Sequence, residues 1–365
     1  MRSLRVSSPV LLLIVPLTIL VLLSSNGSDV LQLVVTVMLI NLILVVGLYV
    51  FIGNSGVLSF GHMSFMAVGA YGSALVTIPL RMKRFILPDL PSWLAHTELP
   101  TPEAALVAGV LAMLIAFVLA VPLMRLNGIA AGIASFALLV ITQVILSNWD
   151  TVTRGTETML GLPLDTTMYS ALAWSLVSII GAYLFRQSRV GLRLRASRED
   201  EIAARAMGIR VMPERSLAFA LSAFFVAIGG ALYGHLLGSF SPDAFYIGIT
   251  FTTLTMLVIG GISSLAGAVI GTVGVTALSQ LLLQIESGVS FDGFSFAAPA
   301  GFHEVALAIL MLVILIARPQ GITGGRELTW PGGHAKSRPA QGMKLPSSPP
   351  LKSADVAPDA GKVAR

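Results

Sequence analysis

The sequence has no cysteine among its 365 residues, which excludes disulfide bonds, thiolate metal sites and cysteine nucleophiles. It also carries little charge, because Asp, Glu, Lys and Arg make up 11% of the chain, whereas soluble domains have about 25%. A Walker A pattern is missing, so the chain has no recognisable nucleotide site of its own. Hydrophobic residues, by contrast, make up 55%. This balance excludes an ordinary soluble domain and indicates an integral membrane protein.

Ten apolar segments follow one another along residues 1–325, and several reach the roughly 20 residues that cross a bilayer core. They predict an all-α, polytopic integral membrane protein with about ten transmembrane helices. The segment at 248–262 is short and ends at Gly260 and Gly261, which indicates a broken or tilted helix. For the first segment a signal peptide is the alternative, although no small-x-small cleavage site follows it. The segments are 9–24, 30–52, 58–80, 104–125, 128–147, 168–185, 216–238, 248–262, 265–285 and 300–317.

Basic residues set the expected orientation of these segments. The connection 186–215 holds eight arginines and is predicted to be cytoplasmic, because Lys and Arg concentrate in cytoplasmic loops. Counting spans in both directions then places both termini in the cytoplasm. The formal charge of +5 has the same explanation and does not indicate a nucleic-acid partner. Arg81, Lys83 and Arg84 lie on the predicted outer side and conflict with the rule.

After residue 325 the composition changes to Pro, Gly, Ser, Lys and Ala without apolar periodicity. Such a segment cannot bury enough apolar surface to order itself. We therefore predict a disordered cytoplasmic tail at 326–365. A modest attraction to anionic membrane lipid is one expectation for this tail, and an inert tail is the alternative.

Within the connection 186–215 the residues predict one short helix. Ser197 and Asp200 resemble a capping box, and Gly208 is placed to end the helix in a left-handed conformation. Ile202 and Met207 are expected to give it apolar contacts. One interpretation is a helix that rests on lipid headgroups. The other is a docking element for a cytoplasmic partner, with Glu199, Asp200 and Glu201 in its first turn. The docking residues are Glu199, Asp200, Glu201, Ala203, Ala204 and Gly208.

Small and polar residues interrupt the start of the third segment, in GVLSFGHMSFMAVGAYGSALV at 56–76. Glycines there permit non-helical turns, and serine hydroxyls can satisfy the amides that such turns release. We predict a broken or re-entrant entry that faces protein or a cavity. Small residues four apart, beginning at Gly69, predict tight helix packing. For His62, packing or capping and substrate contact both stay open. With two bulky amides inside other spans, the candidate pathway residues are Gly56, Ser59, Gly61, His62, Asn41 and Gln143.

Groups for enzymatic chemistry are scattered. The histidines at 62, 96, 235 and 303 lie in unrelated segments, without a His-Glu-x-x-His spacing or paired carboxylates on one helix face. We expect neither catalytic residues nor a metal site. Ionisable residues are nearly absent from the spans, whereas proton- or sodium-coupled transporters commonly use buried carboxylates. This absence favours a pathway that a separate motor subunit drives, and a substrate with an apolar side chain.

The stretch GLRLRASREDEIAARAMGI at 191–209 has an alanine pair followed four residues later by glycine, and it resembles the coupling loop of ABC importer permeases. The chain is similar to the LivM-type permeases of branched-chain amino acid importers over about residues 45–322. It departs from that family at VTRGTETMLGLP, 152–163, where the family usually has a Thr-Gly-Gly run. If this outer loop takes part in receptor docking or substrate choice, the departure affects which substrate the resemblance implies. The other matching stretches are GVLSFGHMSFMAVGAY at 56–71, SLAFALSAFFVAIGGALYG at 216–234, LVIGGISSLAGAVIGT at 257–272 and ARPQGI at 317–322.

The resemblance implies a permease subunit of an ABC importer in the bacterial inner membrane, for branched-chain or related hydrophobic amino acids. It implies that the chain is not an enzyme and holds no cofactor. The implied partners are a second homologous permease, two cytoplasmic ATPase subunits that bind ATP and Mg, and a periplasmic substrate-binding protein. A permease for urea or short amides is the alternative within this class. A self-sufficient secondary transporter or channel is the alternative outside it.

Overall fold

A computed structural model describes residues 2–126, 128–287, 289–291, 294–296, 299, 301–318, 320–325 and 327. The chain separates into two compact units, Met1–Leu328 and Thr329–Arg365. The second unit lies outside the described residues, and so does the predicted tail at 326–365 apart from Glu327.

Helices make up almost all of the regular structure in the described residues, and the all-α fold class is confirmed. A short antiparallel pair of strands, β1 (Val289–Phe291) and β2 (Phe294–Phe296), lies between the last two helices. A 3-10 turn covers Pro242–Phe245. The helices are α1 (Arg2–Ser24), α2 (Asp29–Ser55), α3 (His62–Thr77), α4 (Leu80–Ile86), α5 (Ser92–Ala95), α6 (Thr101–Leu123), α7 (Gly128–Asn148), α8 (Asp150–Thr153), α9 (Met168–Gln187), α10 (Arg189–Glu199), α11 (Glu201–Ala206), α12 (Val211–Leu237), α13 (Ile247–Gly260), α14 (Leu265–Ser287) and α15 (Phe302–Ala317).

Seven helical segments in the described part of the chain are long and apolar enough to cross a membrane. An eighth results if α3 and α4, which meet at 117°, count as one broken or re-entrant span. Two further apolar helices, Val10–Ser24 and Val305–Ile314, are shorter. The number of about ten spans therefore stays a prediction. The seven are Asp29–Ser55, Thr101–Leu123, Gly128–Asn148, Met168–Gln187, Val211–Leu237, Pro242–Gly260 and Leu265–Glu286.

The centre of the first unit is α12, which packs against α2, α3 and α6. Glycines let the backbones of α3 and α12 touch. A Cβ added to Gly69 would lie 2.0 Å from the carbonyl oxygen of Ala227, and one added to Gly230 would lie 2.0 Å from that of Met66. A larger side chain at either position would push the helices apart, so the predicted tight packing at Gly69 is confirmed.

The helices α13 and α14 form a hairpin that is held by a similar contact. A Cβ on Gly260 would lie 1.9 Å from the carbonyl oxygen of Gly267, and one on Gly271 would lie 2.1 Å from that of Met256. The first helix ends at Gly261, whose φ of 121° is a conformation that favours glycine. The helix α13 is therefore continuous up to Gly260 and not broken, and the turn after it leaves α13 and α14 tightly joined.

The basic residues that conflict with the predicted orientation lie on α4. Lys83 among them is buried, and its Nζ donates hydrogen bonds to the carbonyl oxygens of Thr97 at 2.6 Å and Leu94 at 3.4 Å. Those carbonyls belong to the end of α5 and the residues after it. Lys83 therefore satisfies buried backbone acceptors, which gives this connection a structural reason for a basic residue.

Candidate functional site

The arginine-rich connection folds as two helices, α10 and α11, where the sequence predicts one. Asp200 separates them and caps α11, because its Oδ1 accepts a hydrogen bond from the backbone N of Ala203 at 2.9 Å. The predicted helix start was wrong. Ser197 lies inside α10, and Glu199 is its last residue. The physical reason is that Asp is itself a preferred N-cap, and its extended backbone, with φ of −152°, ends one helix as it begins the next.

The end of α11 is as the sequence predicts. Gly208 has a left-handed φ of 82°. Its backbone N donates to the carbonyl oxygen of Arg205 at 3.0 Å, and the N of Ile209 donates to that of Ala204 at 3.1 Å. These two bonds form the Schellman arrangement that ends many helices. The helix is therefore short and has defined ends on both sides.

One face of α11 points away from the rest of the chain. Ile202 and Met207 are each 83% exposed, and Ala203 is exposed between them. The apolar contacts expected of Ile202 and Met207 are therefore not made within the described chain, because the helix turns its other side inward. Ala204 is buried and forms part of that inner side. We call Ile202, Ala203 and Met207 the outer face of α11.

An ion-pair cluster holds α11 against α12. The carboxylate of Glu201 contacts Arg215 through Oε2 at 2.9 Å, and its other oxygen pairs with Arg205. Arg215 is almost fully buried. Burial alone would raise the pKa of the Glu201 carboxyl, but the charge and hydrogen bond of Arg215, together with those of Arg205, outweigh burial and hold that pKa below its ordinary value. Glu201 thus anchors α11 to α12 through its charge.

A second anchor joins α10 to the membrane-embedded helices. Arg198 donates from Nη1 to the carbonyl oxygen of Gly53 in α2 at 2.7 Å. Gly56 follows with a left-handed φ of 72°, and a Cβ there would lie 2.5 Å from Cγ of Arg198. Gly56 also lines a largely apolar cavity of about 410 Å³ beside the start of α7. The structure therefore places this predicted pathway residue against Arg198, near the C-terminal end of α10.

Ser59, Gly61 and His62 lie in a closely packed region. The Nδ1 of His62 and Oγ of Ser59 share a hydrogen bond of 2.8 Å, and both residues are buried. The ring of Phe219 lies 4.9 Å from that of His62, centroid to centroid. A Cβ on Gly61 would meet the carbonyl oxygen of Ser135 at 2.5 Å. These contacts support the packing interpretation of His62.

A larger cavity, of about 500 Å³, lies between α2, α13, α14 and α15, and we call it the α14 cavity. Asn41 contributes to it from α2. The hydroxyls of Thr276 and Ser279 are buried at its wall and have no hydrogen-bond partner among the described residues. No charged side chain is among the described residues that line it. Its polar lining is Asn41, Thr252, Thr255, Thr276, Ser279 and Gln280, and its large apolar lining is Val37, Phe251, Met256, Leu283, Leu307 and Met311.

Asn41 alone among the six predicted pathway residues lines the α14 cavity. Gln143 lies elsewhere, where its Nε2 donates to Oδ1 of Asp243 at 2.7 Å and links α7 to the 3-10 turn. Sequence reasoning missed Thr276 and Ser279. A usable signal was present, because positions 276, 279, 280 and 283 fall on one face of a helix. Three of those four residues are polar within an otherwise apolar span.

A family model described as the permease component of the branched-chain amino acid transport system matches residues 30–317. The chain belongs to this family. The predicted class, a permease subunit of an ABC importer, is therefore confirmed, and with it a multi-pass protein of the bacterial inner membrane that is not an enzyme. Nothing in the comparisons favours a urea permease, a secondary transporter or a channel.

The relatives of this permease include proteins named LivM and proteins named LivH. The LivM permease protein of the high-affinity branched-chain amino acid system of Escherichia coli K12 is 26% identical over 323 residues, 79% of this chain and 69% of the relative. The LivH permease protein of Salmonella typhimurium is 25% identical over 310 residues, 78% and 92% of the two chains. The autoinducer 2 permease LsrC of Escherichia coli O9:H4 is 26% identical over 151 residues, 40% and 42%. No solved structure matches.

Metal-binding side chains are not grouped in the part of the chain that the structure describes. No set of three or more His, Cys, Asp or Glu residues there could hold a metal ion.

Proposed function

We propose that this permease forms part of the translocation pathway for branched-chain or related hydrophobic amino acids, and that the α14 cavity belongs to that pathway. The observation that carries the proposal is the lining of this cavity. Methionine, leucine and phenylalanine side chains suit an aliphatic substrate, while the free hydroxyls of Thr276 and Ser279 and the amide of Asn41 can meet its ammonium and carboxylate groups. Because the described lining residues carry no charge, we expect the cavity to hold the amino acid weakly and to release it readily.

We propose the importer's further subunits on two grounds. Similarity to relatives named LivM and relatives named LivH supports a second, homologous permease as partner. The outer face of α11 supports docking of cytoplasmic ATPase subunits, since an exposed apolar surface on a short, well-capped helix suits a protein contact. ATP and Mg would be bound by two such subunits, with no cofactor in this chain. A periplasmic binding protein would deliver the substrate.

Both termini are proposed to lie in the cytoplasm. The density of arginines in 186–215 supports a cytoplasmic position for that connection. Arg186, at its start, forms an ion pair of 3.1 Å with Glu327. This contact supports a cytoplasmic position for the residues after α15. Counting the ten spans predicted from the sequence would put the N-terminus on the same side.

Thr276→Val in the reconstituted importer tests the role of the cavity. Valine keeps the shape of threonine but removes the unpartnered hydroxyl. If that hydroxyl had no role in transport, its removal would leave the stability of the protein unchanged or raise it. We expect uptake of leucine per assembled complex to fall about three- to tenfold, which corresponds to the net free energy of one hydrogen bond between the hydroxyl and the substrate. The matched control is Thr272→Val, one turn earlier on α14, whose hydroxyl is already bonded to the carbonyl of Ala268 at 2.8 Å. Uptake that is equal in both variants and the unmodified importer would contradict the proposal.

A further inference from the structure

The residues that follow α15 cross the turn of the α13–α14 hairpin. We call residues 320–325 together with Glu327 the C-terminal strap. The backbone N of Ile322 donates to the carbonyl oxygen of Ile259 at 2.9 Å, and that of Thr323 donates to Gly260 at 3.2 Å. The hydroxyl of Thr323 donates to the same Gly260 oxygen at 2.8 Å. The strap is therefore bonded to the last residues of α13.

Glu327 extends this contact to the start of α14. Its Oε1 accepts a hydrogen bond from the backbone N of Leu265 at 2.8 Å, and its Oε2 accepts one from Ala266 at 3.3 Å. A carboxylate at this position satisfies amides that the helix itself leaves free, and the helix dipole favours its charge. The strap thus holds both helices of the hairpin, and α14 is the helix that carries Thr276 and Ser279 to the cavity.

The same carboxylate reaches the connection 186–215. Arg186, in the last turn of α9, lies 3.1 Å from Oε1 of Glu327 through its Nη1. Both side chains are largely buried, at 16% and 15% exposed. The carbonyl oxygen of Arg186 in turn accepts a hydrogen bond from Nη2 of Arg195 on α10 at 3.1 Å. A continuous set of charge-assisted bonds therefore runs from α10, through Arg186 and Glu327, to α14.

We propose that Glu327 is a positioning residue that transmits movement of the connection 186–215 to the α13–α14 hairpin and so to the α14 cavity. The inference rests on the proposed function, in which ATPase subunits move this connection. Its physical basis is that one buried carboxylate bonds two separate elements at once. A displacement of the end of α9 must then either break these bonds or carry the start of α14 with it. Because α13 and α14 touch backbone to backbone, the hairpin would move as a unit.

The test uses the complete importer, with both permeases, the ATPase subunits and the binding protein in liposomes. Glu327→Gln keeps an oxygen for the helix amides but loses the charge that pairs with Arg186. We expect ATP hydrolysis per assembled complex to be retained, while leucine transported per ATP falls about fivefold or more, a typical size for coupling between sites. The matched control is Glu157→Gln, which removes a 68% exposed carboxylate from its pair with Arg154. This control is expected to keep the ratio of the unmodified importer.

A double-variant cycle separates positioning from plain structural support. Arg186→Gln leaves the helix amides capped, so it provides the same test even if Glu327→Gln fails to assemble. The two substitutions together are expected to lower the transport ratio no further than either alone. An unchanged ratio, a parallel loss of hydrolysis and transport, or additive effects would each overturn the positioning role. If the unmodified importer itself shows no ATP-driven uptake, the proposed function fails instead.

Discussion

Arg198 and Gly53 lie 145 residues apart in the sequence, and Nη1 of the arginine donates to the carbonyl oxygen of the glycine at 2.7 Å. Gly53 belongs to the buried end of α2, whose side chains from Met38 to Ser55 are all buried. A Cβ at Gly53 would also lie 2.7 Å from the carbonyl oxygen of Ile262, in the turn of the α13–α14 hairpin. The C-terminal end of α10, the C-terminal end of α2 and the turn of the α13–α14 hairpin therefore lie next to one another.

Arg198→Met should separate the connection 186–215 from α2, because methionine keeps the apolar length but cannot donate to Gly53. In the complete importer we expect leucine transported per ATP to fall about fivefold or more with hydrolysis retained. Arg189→Met, at an exposed arginine of α10, is the control and should behave as the unmodified importer. Equal transport ratios in the two variants would remove Arg198 from the coupling route.

Gly56→Ala should destabilise the same junction. The left-handed backbone at this position costs an alanine about 1–2 kcal/mol, and its Cβ would collide with Cγ of Arg198 at 2.5 Å. We expect a lower midpoint of thermal denaturation in detergent. Gly132→Ala is the control, since its nearest neighbour would lie at an ordinary 3.8 Å. Equal midpoints for Gly56→Ala and Gly132→Ala would show that the left-handed backbone and the contact with Arg198 do not constrain position 56.

Glutamate substitutions on the two sides of α11 should have different effects. Ala203→Glu adds charge to the outer face without disturbing the fold, so we expect the thermal midpoint to stay constant while the ATPase subunits no longer copurify. Ala204→Glu buries an unpaired charge on the inner side and should lower the midpoint itself. Copurification at the normal level with Ala203→Glu would show that partners dock elsewhere.

The C-terminal end of α11 and the close approach at Gly69 could be predicted from the sequence because both depend on local chemistry. A glycine after an alanine-rich turn ends a helix wherever it occurs, and small residues four apart permit backbone contact with any neighbouring helix. Asp200 shows the limit of such reasoning. Its capping ability was visible in the sequence, but which of two candidate caps begins the helix depends on how the preceding residues fold.

The site depends on long-range neighbours, and a single sequence carries no information on those. Asn41 was a candidate as a buried amide, yet nothing near it in the sequence indicates that it lines the same cavity as Thr276. The sequence likewise does not show that Gly56 lies against Arg198 or that Ser59 shares a hydrogen bond with His62. The strap could not be predicted because Glu327 lies beyond the last apolar segment.

The ion pairs of Glu201 predict a pH dependence for α11. The pKa of this carboxyl is lower in the folded chain than its ordinary value of 4.5. Its contribution to stability is therefore fully present above pH 4.5 and is lost as the pH falls through the folded pKa. We expect hydrogen exchange of the α11 amides, corrected for intrinsic rates, to be faster at pH 3 than at pH 7. Glu201→Gln should exchange quickly at both values, at a cost of about 1–3 kcal/mol at pH 7. Identical protection at the two values in the unmodified chain would contradict this role of the carboxylate.

Uptake of leucine into liposomes tests the central claim most directly, namely that this chain is a pathway driven by separate ATPase subunits. Two preparations are compared: the complete importer with its binding protein and ATP, and this chain alone under an imposed proton or sodium gradient. The account predicts concentrative uptake in the first preparation and none in the second. Gradient-driven accumulation by the chain alone, or no ATP-dependent uptake by the complete importer, would contradict it.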